Sequence, residues 1–342
     1  MRQALHFIKL ERGAVECRLC PHHCRIAPGK RGICGVRENR DGTLVSLVYG
    51  KLAASHVDPV EKKPLFHFLP GTLTYSVATV GCNLACPFCQ NHELSFAMRS
   101  HAVPYGYEAP AEKVVAEAVA SGCESLTFTY SEPTIFFEYM VDIAALAREK
   151  GLLTALVSNG FIEAEPRREL AGLIDAANID LKAFSETTYR DVLQGKLGPV
   201  LETISSLLAD GVWTEVTTLV VPGMNDSAEE LKKIASFLAS VSPDLPWHVS
   251  RFFPRNRWTD ASPTPEKSLR RAVEAGRRAG LHFVYAGNVP GDPTESTFCP
   301  GCGKKVIERV GYDISQMNLG PAGRCPSCNT LVAGIFDSRA DR

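Results

Sequence analysis

Cys82, Cys86 and Cys89 stand at the spacing C-x3-C-x2-C, directly after the apolar run Tyr75–Val80. Thiolate sulfur is a soft ligand that suits iron–sulfur clusters and zinc. Three cysteines can ligate three irons of a cubane and leave the fourth iron open. The amino and carboxylate groups of S-adenosylmethionine (SAM) can fill that position. One electron then cleaves the sulfonium C–S bond, giving methionine and a 5′-deoxyadenosyl radical that abstracts hydrogen from a substrate. The spacing also permits a structural zinc with His92 as fourth ligand. The position after a strand, and a second conventional metal motif near the C-terminus, favour the catalytic cluster.

That second motif is Cys299-x2-Cys302 with Cys325-x2-Cys328, two Cys-Pro-x-Cys knuckles at zinc-ribbon spacing. Four thiolates close a tetrahedral shell, so the site reads as structural zinc, with a rubredoxin-like iron as the alternative. A third group, Cys17, Cys20, Cys24 and Cys34, is less regular and reads as zinc or an auxiliary iron–sulfur cluster. His22 and His23 are further candidate ligands there, and Gly29, Gly32 and Gly35 suggest tight backbone around the metal. These groups take eleven of the twelve cysteines. Cys123 stands alone and reads as an inert buried thiol.

Such ligands need a scaffold. Strand-like runs recur at Tyr75–Val80, Ser125–Thr129, Thr154–Val157, Asn178–Leu181, Thr214–Val221, His248–Phe252 and His282–Tyr285, with helical patterns between most of them. Glu112–Ser121 carries Val114, Val115, Ala118 and Val119 on one face. Asp226 with Glu229 reads as a helix cap, and Thr264-Pro265 opens another helix. The alternation predicts an α/β fold with a parallel sheet. Polar or glycine-rich stretches follow almost every run, as in Gly81-Cys82, Tyr130-Ser131-Glu132-Pro133 and Ser158-Asn159-Gly160. In a β/α barrel those strand ends form one catalytic face. We expect a partial (β/α)6-type barrel over residues 71–290. A cysteine-rich region, 1–70, and a zinc-ribbon-like region, 291–342, flank it. A doubly wound sheet is the alternative.

Bulk properties narrow the class. The 342 residues are 45% hydrophobic and carry a net charge of −1, which argues against a nucleic-acid-gripping surface. No apolar run approaches membrane-spanning length and no signal-peptide core is visible, so a cytoplasmic location without disulfides is expected.

The Cys82–Cys89 segment resembles the radical SAM superfamily motif, C-x3-C-x-aromatic-C, with Phe88 as the aromatic. The core resembles pyruvate formate-lyase activating enzymes. The wider chain, through Cys20-Pro21-His22-His23-Cys24, Asp58 to Gly71 and Cys299-Pro300-x-Cys302-Gly303, resembles the AmmeMemoRadiSam system radical SAM enzymes. The resemblance implies a [4Fe-4S] cluster and SAM, with Phe88 beside the adenine. It also implies an electron donor such as flavodoxin or ferredoxin, and association with Memo-like and AMMECR-like proteins. The substrate would be a partner protein, as for glycyl-radical activases, or a smaller molecule. Two other classes compete: a non-catalytic electron-transfer or structural multi-metal protein, and a nucleic-acid-modifying enzyme.

The same resemblance points to cofactor-binding residues. Ser131 and Glu132 match the stretch that binds the SAM amino group, and a carboxylate with a hydroxyl suits an ammonium. Their bland reading is a helix start with Ser131 as cap. Asp180-Leu181-Lys182 matches an activating-enzyme stretch. Alternation sets Asp180 and Lys182 on one inward face, where the lysine needs an anion such as the methionine carboxylate, or only Asp180 itself. Ser158 and Asn159 either meet the ribose or methionine end or form a plain turn. Val220–Asp226 is expected to close over SAM, and Arg251 is the polar residue of interest on its strand.

Overall fold

The computed structural model describes residues 2–99, 103–289 and 291–337. Residue 290, where the expected core ends, lies outside them. At its centre is an eight-stranded sheet. An edge strand β1 (Ala54–Pro59) is followed by seven strands: β2 (Leu73–Ala78), β3 (Ser125–Phe128), β4 (Leu153–Ser158), β5 (Ala176–Asp180), β6 (Trp213–Val220), β7 (Trp247–Arg251) and β8 (Val284–Gly287). These seven all run parallel to one another. They lie side by side in chain order, with no reversal. A doubly wound sheet reverses its order at a switch point, so that alternative is excluded. The ladder does not close on itself, which makes the core a partial barrel.

Each predicted run falls on one of these seven strands, one more than a six-strand barrel needs. Strands such as β3, buried at every residue, read as short apolar runs because both faces are covered. Strand β1 was not anticipated. It pairs antiparallel with β2, Ala54 opposite Ala78, and belongs to the region expected to be a separate attachment. Its sequence, Ala-Ser-His-Val-Asp-Pro, lacks a core strand's pattern because it is a half-exposed edge.

Helices cover the outer face: α1 (Ala111–Ala120), α2 (Phe137–Glu149), α3 (Ala164–Ala171), α4 (Leu197–Ala209), α5 (Ala228–Val241) and α6 (Glu266–Ala279). Helix α1 buries Val114, Val115 and Ala118, but Val119, expected on that face, is 49% exposed. Helix α5 buries Leu231, Ile234 and Leu238 at 3- and 4-residue spacing, each contributing about 1.5–3 kcal/mol. Its cap is Ser227, whose Oγ accepts from Glu230 N, rather than Asp226. Asp226 instead accepts from Gly223 N and from the Ser268 hydroxyl.

Two small antiparallel sheets make up the N-terminal region, one of them carrying Cys17 on the strand Val15–Cys17. At the other end β9 (Thr297–Phe298), β10 (Lys305–Val310) and β11 (Asp313–Met317) form a three-stranded ribbon. Buried Glu215 on β6 fixes the foot of the barrel. It accepts from Phe66 N, His67 N, Trp213 Nε1 and, at 2.6 Å, His248 Nε2. Arg309 on β10 reaches the same corner through the Phe66 carbonyl and Thr297 Oγ1. No helix among the described residues is long and apolar enough to cross a membrane.

Candidate active site

The loop after β2 brings Cys82, Cys86 and Cys89 to the C-terminal ends of the strands, where they line a cavity of about 270 Å³. Cys86 is buried and the other two are half-buried. Burial first, then the Glu132 carboxylate, holds the Cys82 thiol well above its ordinary range, and burial raises Cys86 to about 11. Metal must therefore displace protons to bind, which is the usual coupling of ligation to deprotonation. The loop is braced from β7's far side, since Arg257 N donates to the Pro87 carbonyl at 2.9 Å. Phe88 is buried with its ring centroid 5.5 Å from that of Trp258.

Every other residue singled out for the cofactor, namely Ser131, Glu132, Ser158, Asn159, Asp180 and Lys182, lines the same cavity. Glu132 joins two strand ends. Its Oε1 accepts from Thr134 N at 3.0 Å and Ser158 Oγ at 2.7 Å, and its Oε2 accepts from Asn159 N at 2.9 Å. Burial raises its pKa, and these three bonds oppose the rise. Glu132, not Ser131, caps the short helix Pro133–Phe136. The Ser131 hydroxyl is buried without a partner, as is Thr217 Oγ1 from β6, also in the cavity wall. Two orphaned hydroxyls in a cavity call for a polar occupant. The donor set fits a cluster with an amino-acid-bearing ligand: three thiols, free hydroxyls, two carboxylates and one ammonium.

That ammonium is Lys182, 2.9 Å from Asp180 Oδ2. Burial pulls its pKa down, but Asp180 and Cys86 outweigh it and the net shift is upward. Asn225 pins the lysine's backbone, donating to the Lys182 and Leu219 carbonyls. The Val220–Asp226 stretch thus braces the lysine from behind, and none of its residues lines the cavity. Arg251 points away: its Nε donates to the Thr264 carbonyl, and Ser250, its neighbour in the two-residue alternation, lines the cavity instead.

Asn159 links the loops. Its Nδ2 donates to Asn83 Oδ1 at 2.8 Å and lies 3.9 Å from Cys82 Sγ, while its Oδ1 accepts from Phe161 N. Gly160 makes this turn possible. It has φ +69°, and a Cβ there would sit 2.8 Å from Ile179 Cγ2.

Sequence reasoning missed Tyr130, Thr217 and Ser250. Strand alternation was the available signal for the last two. Tyr130 adopts φ +63°, and its hydroxyl donates to Asp58. Asp58 also holds Lys63 at 2.6 Å and Lys62 at 2.7 Å. Burial lowers the Lys63 pKa to about 8, with Asp58 opposing. The charged run before Pro64 is thus the strut under one wall of the cavity.

The remaining cysteines separate clearly. The Cys299, Cys302, Cys325 and Cys328 sulfurs all lie within 4.8 Å of one another, with Cys299–Cys328 at 3.5 Å and Cys302–Cys325 at 3.7 Å. Tetrahedral thiolates about 2.3 Å from zinc stand at such separations. The knuckles end in matching left-handed residues, Gly303 and Asn329. Cys17, Cys20, Cys24 and Cys34 line a pocket of their own. Cys123 is buried in the apolar core.

Fold and site together define a class: the chain belongs to the radical SAM superfamily and is a catalytic radical SAM oxidoreductase. The Radical SAM superfamily family model matches residues 76–238, spanning the cysteine loop and β2 through α5. The chain is 41% identical to the uncharacterized protein MJ0808 of Methanocaldococcus jannaschii, over 97% of this chain and 99% of that one. It is 25% identical to the pyruvate formate-lyase-activating enzyme of Clostridium pasteurianum, over 47% of this chain and 67% of that enzyme. A radical SAM methyltransferase from Sphaerobacter thermophilus shares the fold, with a TM-score of 0.51 at 15% identity over 70% of this chain and 71% of that one.

Proposed function

We propose that Cys82, Cys86 and Cys89 hold a [4Fe-4S] cluster whose open iron takes SAM, and that the reaction abstracts hydrogen from a partner protein in the manner of a glycyl-radical activase. When bound, cluster and SAM supply reductive cleavage of the sulfonium and a hydrogen-abstracting species. The chain's residues bind, orient and keep water out. Lys182, beside Asp180, would hold the methionine carboxylate. The Ser131 hydroxyl and the spare lone pair of Glu132 Oε2 would receive the amino N–H groups, and Phe88, stiffened by Trp258, would flank the adenine.

The observation that carries this reading is the convergence of three thiols, two unpaired hydroxyls and one half-buried ammonium on a single cavity. The activase preference rests on the similarity to pyruvate formate-lyase-activating enzymes. We further assign a cytoplasmic setting, a flavodoxin- or ferredoxin-type donor, structural zinc at the C-terminal knuckles, and Memo-like and AMMECR-like proteins as associates.

Anaerobic protein loaded with iron and sulfide, given dithionite and SAM, should release 5′-deoxyadenosine. Cys86→Ala should abolish that release while the C-terminal metal stays. Cleavage surviving the substitution, or none from fully loaded wild type, would refute the assignment.

A further inference from the structure

Cys17, Cys20, Cys24 and Cys34 line one pocket, and Arg37 forms part of its wall. Arg37 is 1% exposed. Its Nη2 is taken by Glu138 at 3.0 Å and by the Leu5 carbonyl. Its Nε and Nη1 are buried with no protein partner. Two unsatisfied cationic donors beside four thiols call for an anionic acceptor. Among the described residues, only Cys299, Cys302, Cys325 and Cys328 form a group whose ligand atoms all lie within 4.8 Å of one another. The Cys17 quartet is therefore spread wider than thiolates around one tetrahedral ion, and the inorganic sulfides of an iron–sulfur cluster would fill that space and accept from Arg37.

Asn83, the residue after Cys82, lines the same pocket. Its carbonyl pairs with His22 Nε2 at 2.7 Å, and its side-chain oxygen accepts from the same Asn159 nitrogen that lies 3.9 Å from Cys82 Sγ. Gly81, the residue before Cys82, has φ +106° and presses on the Cys34 carbonyl, which a Cβ would approach to 3.0 Å. The two cysteine loops are therefore in direct contact, and electron tunnelling favours short, contacting paths.

We infer that the Cys17, Cys20, Cys24 and Cys34 quartet holds a second iron–sulfur cluster that passes single electrons to the Cys82 cluster across the Asn83 contact. The acceptor in this inference rests on the reading above. A low-potential one-electron donor of the ferredoxin or flavodoxin class loses one electron and the second cluster gains it. That cluster is then reoxidised as the Cys82 cluster is reduced. No bond in the protein forms or breaks, and the electron leaves with the sulfonium cleavage.

The full chain with Cys82, Cys86 and Cys89 all changed to alanine, reconstituted anaerobically, isolates the site. It should retain about four irons and about four acid-labile sulfides, with a reduced-cluster electron paramagnetic resonance signal. Absence of sulfide, as for zinc or a rubredoxin-like iron, overturns the inference. Sulfide retained here, alongside wild type that never cleaves SAM, keeps this cluster and refutes only the SAM reading. For the relay, fully reduced wild type should show spin coupling between two clusters at more than one microwave frequency, and uncoupled spectra overturn it. In Cys20→Ala/Cys24→Ala, reduction of the Cys82 cluster by reduced ferredoxin should slow about tenfold or more while dithionite reduction stays within about twofold. Equal slowing, or none, overturns the relay. If that variant does not fold, the wild-type spin coupling decides.

Discussion

The Glu132 carboxylate and the Ser158 hydroxyl, 2.7 Å apart, tie the end of β3 to the end of β4 inside the cavity. The same carboxylate receives Asn159 N and Thr134 N, so one side chain sets the spacing of two adjacent strand ends. Glu132→Gln keeps the shape but turns one acceptor into a donor facing donors. We expect a stability loss of about 1–3 kcal/mol by urea denaturation. SAM affinity should also fall, measured by calorimetry on cluster-loaded protein. Unchanged values for both would show that the carboxylate is dispensable.

Lys182→Ala should weaken SAM binding by about 10- to 100-fold, since it removes a half-buried cation from a carboxylate site. Asp180→Asn leaves the ammonium in place and should cost less. Equilibrium binding under anaerobic conditions checks both, and an affinity unaltered in Lys182→Ala would return that lysine to a purely structural role.

Two glycines separate strain from collision. Gly160→Ala combines a left-handed φ with a 2.8 Å approach to Ile179, so a loss of about 2–4 kcal/mol is expected. Gly223 has φ +76° but open space around it, so Gly223→Ala should cost only about 1–2 kcal/mol. Denaturation midpoints rank the two, and equal costs would mean the contact with Ile179 relaxes freely.

Acid should loosen the foot of the barrel. His67 Nδ1 donates to the Ala333 carbonyl and its Nε2 accepts from the Tyr285 hydroxyl, and it faces Glu215, Arg309 and His248. Burial pushes its pKa down to about 4 from an ordinary 6.5, with Glu215 opposing. The unfolded chain thus takes up a proton between those values while the folded chain does not. The stability this neutral imidazole contributes is complete above about pH 6.5 and is lost as pH falls through about 4, on the order of 3 kcal/mol. His67→Gln should flatten that part of the stability–pH curve. A curve as steep as wild type would assign the acid sensitivity to other groups.

Removing the C-terminal metal, by chelation or Cys302→Ser, should open the ribbon first. The ribbon's small cluster of Val306, Ile307, Val332 and its neighbours buries too little apolar surface to hold the knuckles unaided. Hydrogen exchange should rise across 297–337 and stay unchanged in β3 to β6. Uniform protection after metal loss would contradict this.

The barrel was legible because parallel strands covered on both faces leave short apolar runs, and each run ends at a chemically marked loop. The cysteines carried their own spacing. What sequence concealed were contacts made by the backbone or across long separations. Glu132 and Asp58 serve partners 26 and 72 residues away, at Ser158 and Tyr130. The cap shifts, from Asp226 to Ser227 and from Ser131 to Glu132, reflect neighbouring polar residues that compete for one helix end. Arg251 misled because one step along a strand reverses the face, which sets Ser250 inward.

Strand β1 has a consequence for handling the chain outside its folded state. Without it the margin of the sheet would be β2, whose residues from Thr74 to Ala78 are buried and would offer an apolar ladder to a foreign strand. With it the margin shows His56 and Val57 to solvent and ends at Pro59, which has no N–H to donate. Because 54–59 precedes 73–78, this guard is synthesised before the segment it shields and is at hand to pair when β2 emerges.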